Sequence, residues 1–349
     1  MKTAVVQSRG KRVSPPPLVE LLGRRVVGQS QALEAIAPYV QIYQAGLSPE
    51  GRPAGVFLLL GPSGTGKTRT VEALAEVLHG SEKSLLRIDC GEYQMEHEVA
   101  KLIGAPPGYL GHRETQPLLT QQKLSAITSE KSSLSLVLFD EVEKAAPSLN
   151  RLLLGILDKA VLRLGDNTTV NFERSMIFLT SNLGSRSMLK CLCPDFGFAA
   201  GAPRPEKDVL KLEKIGIEAA RRKFPPEFLN RIDRIITYQP LDEEALAEIL
   251  DQHIEEFQRH VNARLGPRAV KIEVPPETRR TLLRLGASRE YGARELKRTL
   301  HRHLTEPLAE LVAGGRLGPG AAVRLVVEGR QKELVLEHSE DPAGAGESY

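Results

Sequence analysis

Hydrophobic positions in the first two thirds of the chain form short apolar runs that are separated by longer amphipathic stretches. Five runs between Gly55 and Tyr238 have the length and composition of buried β-strands, and they read GVFLLL, LLRIDC, LSLVLFDE, SMIFLTSN and RIITY. The stretches between them are long enough for helices, and strands that alternate with helices form parallel sheets. The pattern therefore predicts an α/β domain with a parallel sheet.

The periodicity changes after residue 240 to one that is typical of helices. Asp242 can cap a helix that ends at Gly266 and Pro267. Its apolar positions are Leu246, Ile249, Leu250, Ile254, Phe257 and Val261. Further on, the pattern predicts a short strand (VKIEV), a helix after Pro276, a helix with leucines at 296, 300, 304 and 308, and two strands (AVRLVV and ELVLE). We expect a second, smaller and mostly helical domain with a few strands.

These patterns divide the chain into four parts. Residues 1–24 are expected to form a flexible arm, because three consecutive prolines at 15–17 cannot continue a helix. The α/β domain is predicted over residues 25–240 and the mostly helical domain over residues 241–335. The polar residues 336–349 are expected to be a disordered tail.

Composition and charge exclude several classes of protein. Of the 349 residues, 41% are hydrophobic and 26% are charged, which is enough apolar material for two folded domains. No apolar run approaches the ~20 residues of a membrane span, and the N-terminus has no secretory signal core. The net charge of +3 is too balanced to favour nucleic acid as a partner. We therefore expect a cytoplasmic protein that does not bind membranes, and the balanced charge disfavours nucleic acid as a partner.

The segment GPSGTGKT follows the first predicted strand and opens a helical stretch. A glycine-rich loop at such a position turns backbone N–H groups toward phosphate oxygens, and the helix N-terminus adds a favourable dipole. In this pattern Lys67 contacts the β- and γ-phosphates and the Thr68 hydroxyl ligates Mg²⁺. The sequence therefore predicts ATP and Mg²⁺ as cofactors. The predicted binding residues are Gly61, Pro62, Ser63, Gly64, Thr65, Gly66, Lys67 and Thr68.

Two later strands end in polar residues that suit ATP hydrolysis. Asp140 and Glu141 end the run LVLFDE, at the carboxyl edge where ligands bind in open α/β sheets. Asp140 can hold Mg²⁺ and Glu141 can polarise the attacking water. Asn182 ends the next strand and can orient that water against the γ-phosphate. The order of P-loop, acidic strand end and polar strand end predicts an ATPase.

Seven motifs in order resemble the C-terminal AAA+ module of the Clp family of protein unfoldases, closest to the ClpB type. They are RVVGQ (25–29), GPSGTGKT (61–68), GAPPGYLGH (104–112), VLFDEVEKAAP (137–147), TSNLGS (180–185), FPPEFLNRID (224–233) and YGAREL (291–296). The resemblance covers roughly residues 24 to 330. It implies a P-loop AAA+ large domain, a helical lid and a chain with a single module.

The resemblance also implies roles for residues that no local pattern singles out. Arg231 matches the arginine finger that reaches ATP bound by the neighbouring subunit, and Arg294 matches the lid arginine that contacts the γ-phosphate in its own subunit. Val27 and Gln29 match the segment that lines the adenine pocket. Without the motif order, either arginine could equally be a partner in a surface ion pair.

Tyr109 matches the pore-loop aromatic residue that grips polypeptide in this family. The glycines and prolines around it predict an exposed loop, and the alternative is a tyrosine folded back on its own domain. Residues 112–116 and 157–170 depart from the usual pore-loop sequences, so grip and substrate preference are expected to differ. The aromatic first position of Phe196-Gly197-Phe198 argues against docking to a peptidase.

The leading functional hypothesis is an ATP-hydrolysing ring, expected to be a hexamer, that unfolds, threads or remodels polypeptides. The implied partners are further copies of the chain, a polypeptide substrate and an adaptor. The main alternative is an AAA+ nucleotide switch that remodels one partner complex without threading. A nucleic-acid motor is the third hypothesis, and an aromatic rather than basic residue at position 109 disfavours it.

Overall fold

The computed structural model describes residues 17–104, 117–192, 205–287, 292–318, 321–328 and 333–338. Its strands are β1 Gly55–Leu60, β2 Leu86–Asp89, β3 Ser135–Asp140, β4 Val161–Arg163, β5 Thr169–Asn171, β6 Ser175–Ser181, β7 Arg234–Thr237, β8 Lys271–Glu273, β9 Ala322–Glu328 and β10 Glu333–His338. All five runs that the sequence identifies as buried strands are strands in the structure. These are β1, β2, β3, β6 and β7.

The helices occupy the stretches between the strands and most of the C-terminal part. They are α1 Leu18–Gly23, α2 Ser30–Gln44, α3 Lys67–His79, α4 Ala100–Ile103, α5 Gln121–Ala126, α6 Pro147–Lys159, α7 Ser185–Leu192, α8 Pro205–Lys223, α9 Pro226–Leu229, α10 Glu243–Leu265, α11 Pro276–Gly286, α12 Ala293–Leu300 and α13 Glu306–Ala313. Within the described ranges, no helix is long and apolar enough to cross a membrane.

The five buried strands form one parallel sheet in the order β2-β3-β6-β1-β7. Side chains of β1 alternate between two cores: Val56, Leu58 and Leu60 pack on one face, and Phe57 and Leu59 pack on the other. Helices cover both faces, which explains why every residue of β1 is buried. The predicted parallel α/β sheet is confirmed, and it brings the ends of β1, β3 and β6 to one edge.

The C-terminal part, which we call the lid, has its own apolar core between α10, α11, α12 and a sheet of order β10-β9-β8. Asp242 accepts a hydrogen bond from the Ala245 N–H (2.8 Å) and so caps α10, as the sequence predicts. The predicted single helix through four leucines runs through α12 and α13 with a π-helical turn, His301–Thr305, between them. Pro307, which has no N–H, lies just after that turn.

Two boundaries and one internal segment differ from those that the sequence suggests. The expected flexible arm, 1–24, includes helix α1, because Leu22 is fully buried against the large domain. The expected tail, 336–349, begins too early, because β10 continues to His338 through its pairing with β9. Part of the 157–170 segment forms the antiparallel hairpin of β4 and β5, which the apolar pattern did not indicate because each strand has only three residues.

Candidate nucleotide site

The P-loop joins β1 to α3, and its backbone requires glycine. Gly61, Gly64 and Gly66 have φ values of 141°, 74° and 101°. At Gly61, an added Cβ would lie 2.8 Å from the Tyr238 carbonyl oxygen, which is closer than real Cβ contacts allow. These glycines therefore allow the loop to turn tightly between the sheet and α3.

Lys67 begins α3 and is buried at the centre of the site. Its Nζ donates hydrogen bonds to the carbonyl oxygens of Gly61 (2.6 Å) and Pro62 (2.8 Å) and to Oδ1 of Asn182 (2.9 Å). Burial lowers the pKa of Lys67 to about 8, although the charge of Glu143 nearby opposes this shift. The ammonium group is thus held between the P-loop and the end of β6.

Asp140 ends β3 and is almost fully buried. One carboxylate oxygen accepts a hydrogen bond from the Thr180 hydroxyl of β6, and the other lies 2.5 Å from Nη2 of Arg87. Thr68 and Asp140 both line the cavity described below, and they supply hydroxyl and carboxylate oxygens, the hard donors that Mg²⁺ prefers. This donor set fits the predicted magnesium ion.

Glu141 follows Asp140 with φ = 55°, an unusual value for a residue with a side chain. Its N–H donates to the Thr180 hydroxyl oxygen (3.0 Å), which holds this strained backbone in place. Its carboxylate accepts from Lys144 Nζ (2.5 Å) and from Asn182 Nδ2 (3.2 Å). The Asn182 amide therefore bridges Lys67 and Glu141, and this joins the P-loop to the end of β3.

The site is a cavity of about 340 Å³ between the sheet edge and the lid. Its lining combines apolar residues from both parts of the chain with polar and charged residues of the P-loop and the strand ends. The apolar residues are Val26, Val27, Leu241 and Ile249. A lining that includes both apolar and cationic residues suits a nucleotide, which has an apolar base and charged phosphates.

The lid reaches the P-loop through three consecutive residues. Arg294 Nη1 donates to Oγ of Ser63 (2.8 Å), and the Ala293 N–H donates to the Gly64 carbonyl oxygen (3.2 Å). Gly292 packs so closely that an added Cβ would lie 2.8 Å from that same oxygen. The structure therefore brings Arg294 to the cavity of its own chain.

Other predicted residues lie elsewhere. Gln29 does not line the cavity: its side chain donates to the Gln239 carbonyl oxygen (2.8 Å) and accepts from the Gln239 N–H (3.1 Å), so it fixes the segment that carries Val27. Arg231 lies outside the cavity and pairs with Asp158 of α6 (2.9 Å). Tyr109 and the Phe196–Phe198 segment lie outside the described residues.

The structure adds residues that the sequence pattern did not indicate. Arg87 of β2 pairs with Asp140, and Glu143 accepts from the Asn182 N–H (3.0 Å). Thr180 belongs to one of the seven motifs, but its hydroxyl also organises Asp140 and Glu141. Buried and exposed residues alternate along β2, and Arg87 is one of the exposed residues. Only the pairing of β2 with β3 could have identified Arg87 as a residue of the site.

The fold and the site together define a P-loop nucleotide-binding protein with a C-terminal lid. Residues 52–235 match the family model described as AAA domain (Cdc48 subfamily), and residues 241–325 match the C-terminal, D2-small domain of ClpB protein. The chain belongs to the AAA family, with the lid of its ClpB branch. This confirms the resemblance drawn from the seven motifs.

Individual relatives agree with this assignment. The chain is 37% identical to chaperone protein ClpB of Pseudomonas putida over 92% of its own length and 34% of the relative. It is 37% identical to ClpB of Aquifex aeolicus over 97% of its length and 32% of the relative. The chain thus spans about a third of these proteins.

A solved structure has the same fold. The closed-state cryo-EM reconstruction of Hsp104 with ATPγS and FITC casein matches with a TM-score of 0.74 and 28% identity. The match covers 92% of this chain and 51% of the Hsp104 chain. The AAA domain and its lid therefore have an arrangement similar to that in the Hsp104 structure.

Proposed function

We propose that this chain hydrolyses ATP with Mg²⁺ and uses the cycle to unfold or remodel polypeptides, as one subunit of a cytoplasmic hexameric ring. The observation that carries the ATPase part is the Asn182 amide, which contacts both Lys67 and Glu141. Because one amide contacts both side chains, the contact supports roles for Glu141 as general base, for Asn182 as the water-orienting amide and for Lys67 as the phosphate-binding cation.

In the proposed reaction, each group has one task. Glu141 accepts a proton from the attacking water, and Asn182 orients that water through its amide. Lys67 and Arg294 bind the phosphate oxygens on which negative charge develops. Thr68 and Asp140 would hold Mg²⁺, which supplies charge neutralisation to the phosphates when it is bound.

The ring is proposed from the position of Arg231. Its guanidinium lies outside the cavity of its own chain, with its side chain 48% exposed, and its ion pair is with a surface residue, Asp158. An exposed pair of this kind contributes little stability. Exchange of this pair for a contact with ATP of the next subunit would therefore cost little.

Action on polypeptides is proposed from relatives and from the pore-loop motif. The solved Hsp104 structure is a reconstruction with both a nucleotide analogue, ATPγS, and FITC casein. The motif around Tyr109 supplies the aromatic side chain that would contact an extended chain. The alternative, a nucleotide switch without threading, predicts no response to an unfolded protein that is not its partner.

The test measures ATPase rate and particle size with and without casein. We expect a ring-sized particle whose ATPase rate rises with casein. Tyr109→Ala should keep the basal rate and lose stimulation, whereas Tyr109→Phe should keep both, because apolar contact needs the ring and not the hydroxyl. Normal casein stimulation in Tyr109→Ala would contradict threading through this loop, and an absence of stimulation in the unmodified protein would favour the switch.

A further inference from the structure

Several carbonyl groups of the P-loop accept hydrogen bonds from donors in α3. The Gly61 and Pro62 carbonyl oxygens accept from Lys67 Nζ, and the Gly66 carbonyl oxygen accepts from the Thr70 N–H (2.9 Å). These donors belong to the helix that continues directly from the loop. The carbonyl of Gly64 differs, because its donor comes from the lid.

The lid donor is the Ala293 N–H, at 3.2 Å from the Gly64 oxygen. Gly292, just before it, has φ = 50° and ψ = −137°, a conformation that favours glycine. An added Cβ there would lie 2.8 Å from the Gly64 oxygen and 3.2 Å from the Ser63 oxygen. Both atoms are backbone and cannot rotate away, so only glycine permits this approach.

We propose that Gly292 and Ala293 are positioning residues that dock the lid onto the P-loop backbone. The dock couples lid position to the conformation of the phosphate-binding loop, independently of the Arg294 side chain. It rests on nucleotide binding at this site and not on the proposed action on polypeptides. Loss of this contact removes the Ala293 N–H from the Gly64 carbonyl oxygen and lets the P-loop and the lid move separately.

The chain offers a matched control for Gly292→Ala. Gly266, at the end of α10 in the same lid, has φ = 52° and ψ = −120°, close to the values of Gly292. Nothing lies within 4 Å of a Cβ added at Gly266. Gly266→Ala therefore introduces the same backbone strain without touching the P-loop.

The experiment measures ATP affinity by calorimetry, KM and kcat, and the melting temperature of the full chain. Both variants should lower the melting temperature, because both carry the same backbone strain. Only Gly292→Ala should weaken ATP binding, by about tenfold, with a higher KM and a smaller change in kcat. Equal ATP affinities in the two variants, whether both normal or both weakened, would overturn the proposal.

Two further comparisons guard against simpler explanations. Ala293→Pro removes the donated N–H at the first position of α12, where proline is tolerated, and Ala293→Ser retains it. The proline variant should weaken ATP binding and the serine variant should not, and this pair decides the matter if Gly292→Ala does not fold. In an Arg294→Ala background, Gly292→Ala should still weaken binding. If the double variant bound ATP as well as Arg294→Ala alone, Gly292 would serve only to position Arg294.

Discussion

Two arginines implied by the same resemblance lie in different surroundings. Arg294 is in the lid corner, which we define as Gly292, Ala293 and Arg294, and it contacts the P-loop of its own chain. Arg231 is in the outer corner, which we define as Asp158 and Arg231, and it lies outside the cavity. The difference supports the proposal that the chain supplies one cation, Arg294, to its own site and a second cation, Arg231, to the site of a neighbouring subunit.

Arg231→Ala gives the largest expected difference between the two corners. If Arg231 acts on a neighbour's ATP, kcat should fall by about 10³-fold while ATP affinity changes by less than about twofold. Steady-state kinetics and calorimetry measure the two effects. Asp158→Asn is the control, because it breaks the ion pair and leaves the guanidinium in place. A loss of activity in Asp158→Asn as large as that in Arg231→Ala would favour a structural role for the pair.

Glu141→Gln is expected to give the second largest loss of activity. The change keeps the shape of the side chain and removes the base, so kcat should fall by at least about 10²-fold while ATP still binds. Glu82→Gln, an exposed acidic residue paired with Arg69, is the control and should keep normal turnover. Turnover of Glu141→Gln close to that of the unmodified protein would remove Glu141 from the mechanism.

Arg294→Ala should weaken ATP binding by about tenfold, since it removes one charge-assisted contact with a phosphate. Calorimetry on the purified chain measures this effect. Arg298→Ala, on the same helix and paired with Glu295, should bind ATP normally. Unchanged affinity in Arg294→Ala would end the contrast between the two corners, because neither arginine would then contribute to binding in its own chain.

The smallest expected effect is a pH dependence of ATP affinity. With the pKa of Lys67 lowered to about 8, its ammonium group loses its proton as pH rises through that value. ATP affinity should therefore fall by roughly fourfold between about pH 7 and pH 8.5. Adenosine, which has no phosphates, should show no such fall. Affinity for ATP that stays constant over this range would contradict a role for Lys67 titration.

The lowered pKa of Lys67 makes ATP affinity fall with pH, but it makes the stability of the nucleotide-free protein rise with pH. A lysine whose pKa is lower in the folded chain binds its proton more weakly there than in the unfolded chain. Between about pH 8 and pH 10.5 the unfolded state therefore holds more protons, and the contribution of Lys67 to stability rises with pH in that window. Below about pH 8 the penalty for burying the charge is present in full.

The strands and the catalytic strand ends could be predicted from the sequence because their signals are local. The P-loop glycines, the acidic pair at 140–141 and Asn182 each follow an apolar run, and parallel pairing brings such ends together. Helix α1 was missed because its order depends on burial of Leu22 against distant residues. Local patterns do not contain that information.

Contacts between segments that are distant in the chain also could not be predicted from the sequence. Arg87 meets Asp140 only because β2 pairs with β3, and Gln29 meets Gln239 across 210 positions. The approach of Gly292 to Gly64 depends on how the lid packs, although the motif around Arg294 indicates that this segment matters. The sequence predicts which segments form the site, and tertiary packing decides which atoms meet.

The most direct test of the division between the two corners mixes subunits. Rings are formed from equal amounts of Arg231→Ala and Glu141→Gln chains, which are each inactive alone, and mixing is verified by mass. Where a Glu141→Gln subunit presents its Arg231 to an Arg231→Ala neighbour, both groups meet at one ATP. We predict recovery of about a quarter of the unmodified ATPase rate, the share of such interfaces in random rings. No recovery in verified mixed rings would contradict the assignment of Arg231 to the neighbouring site.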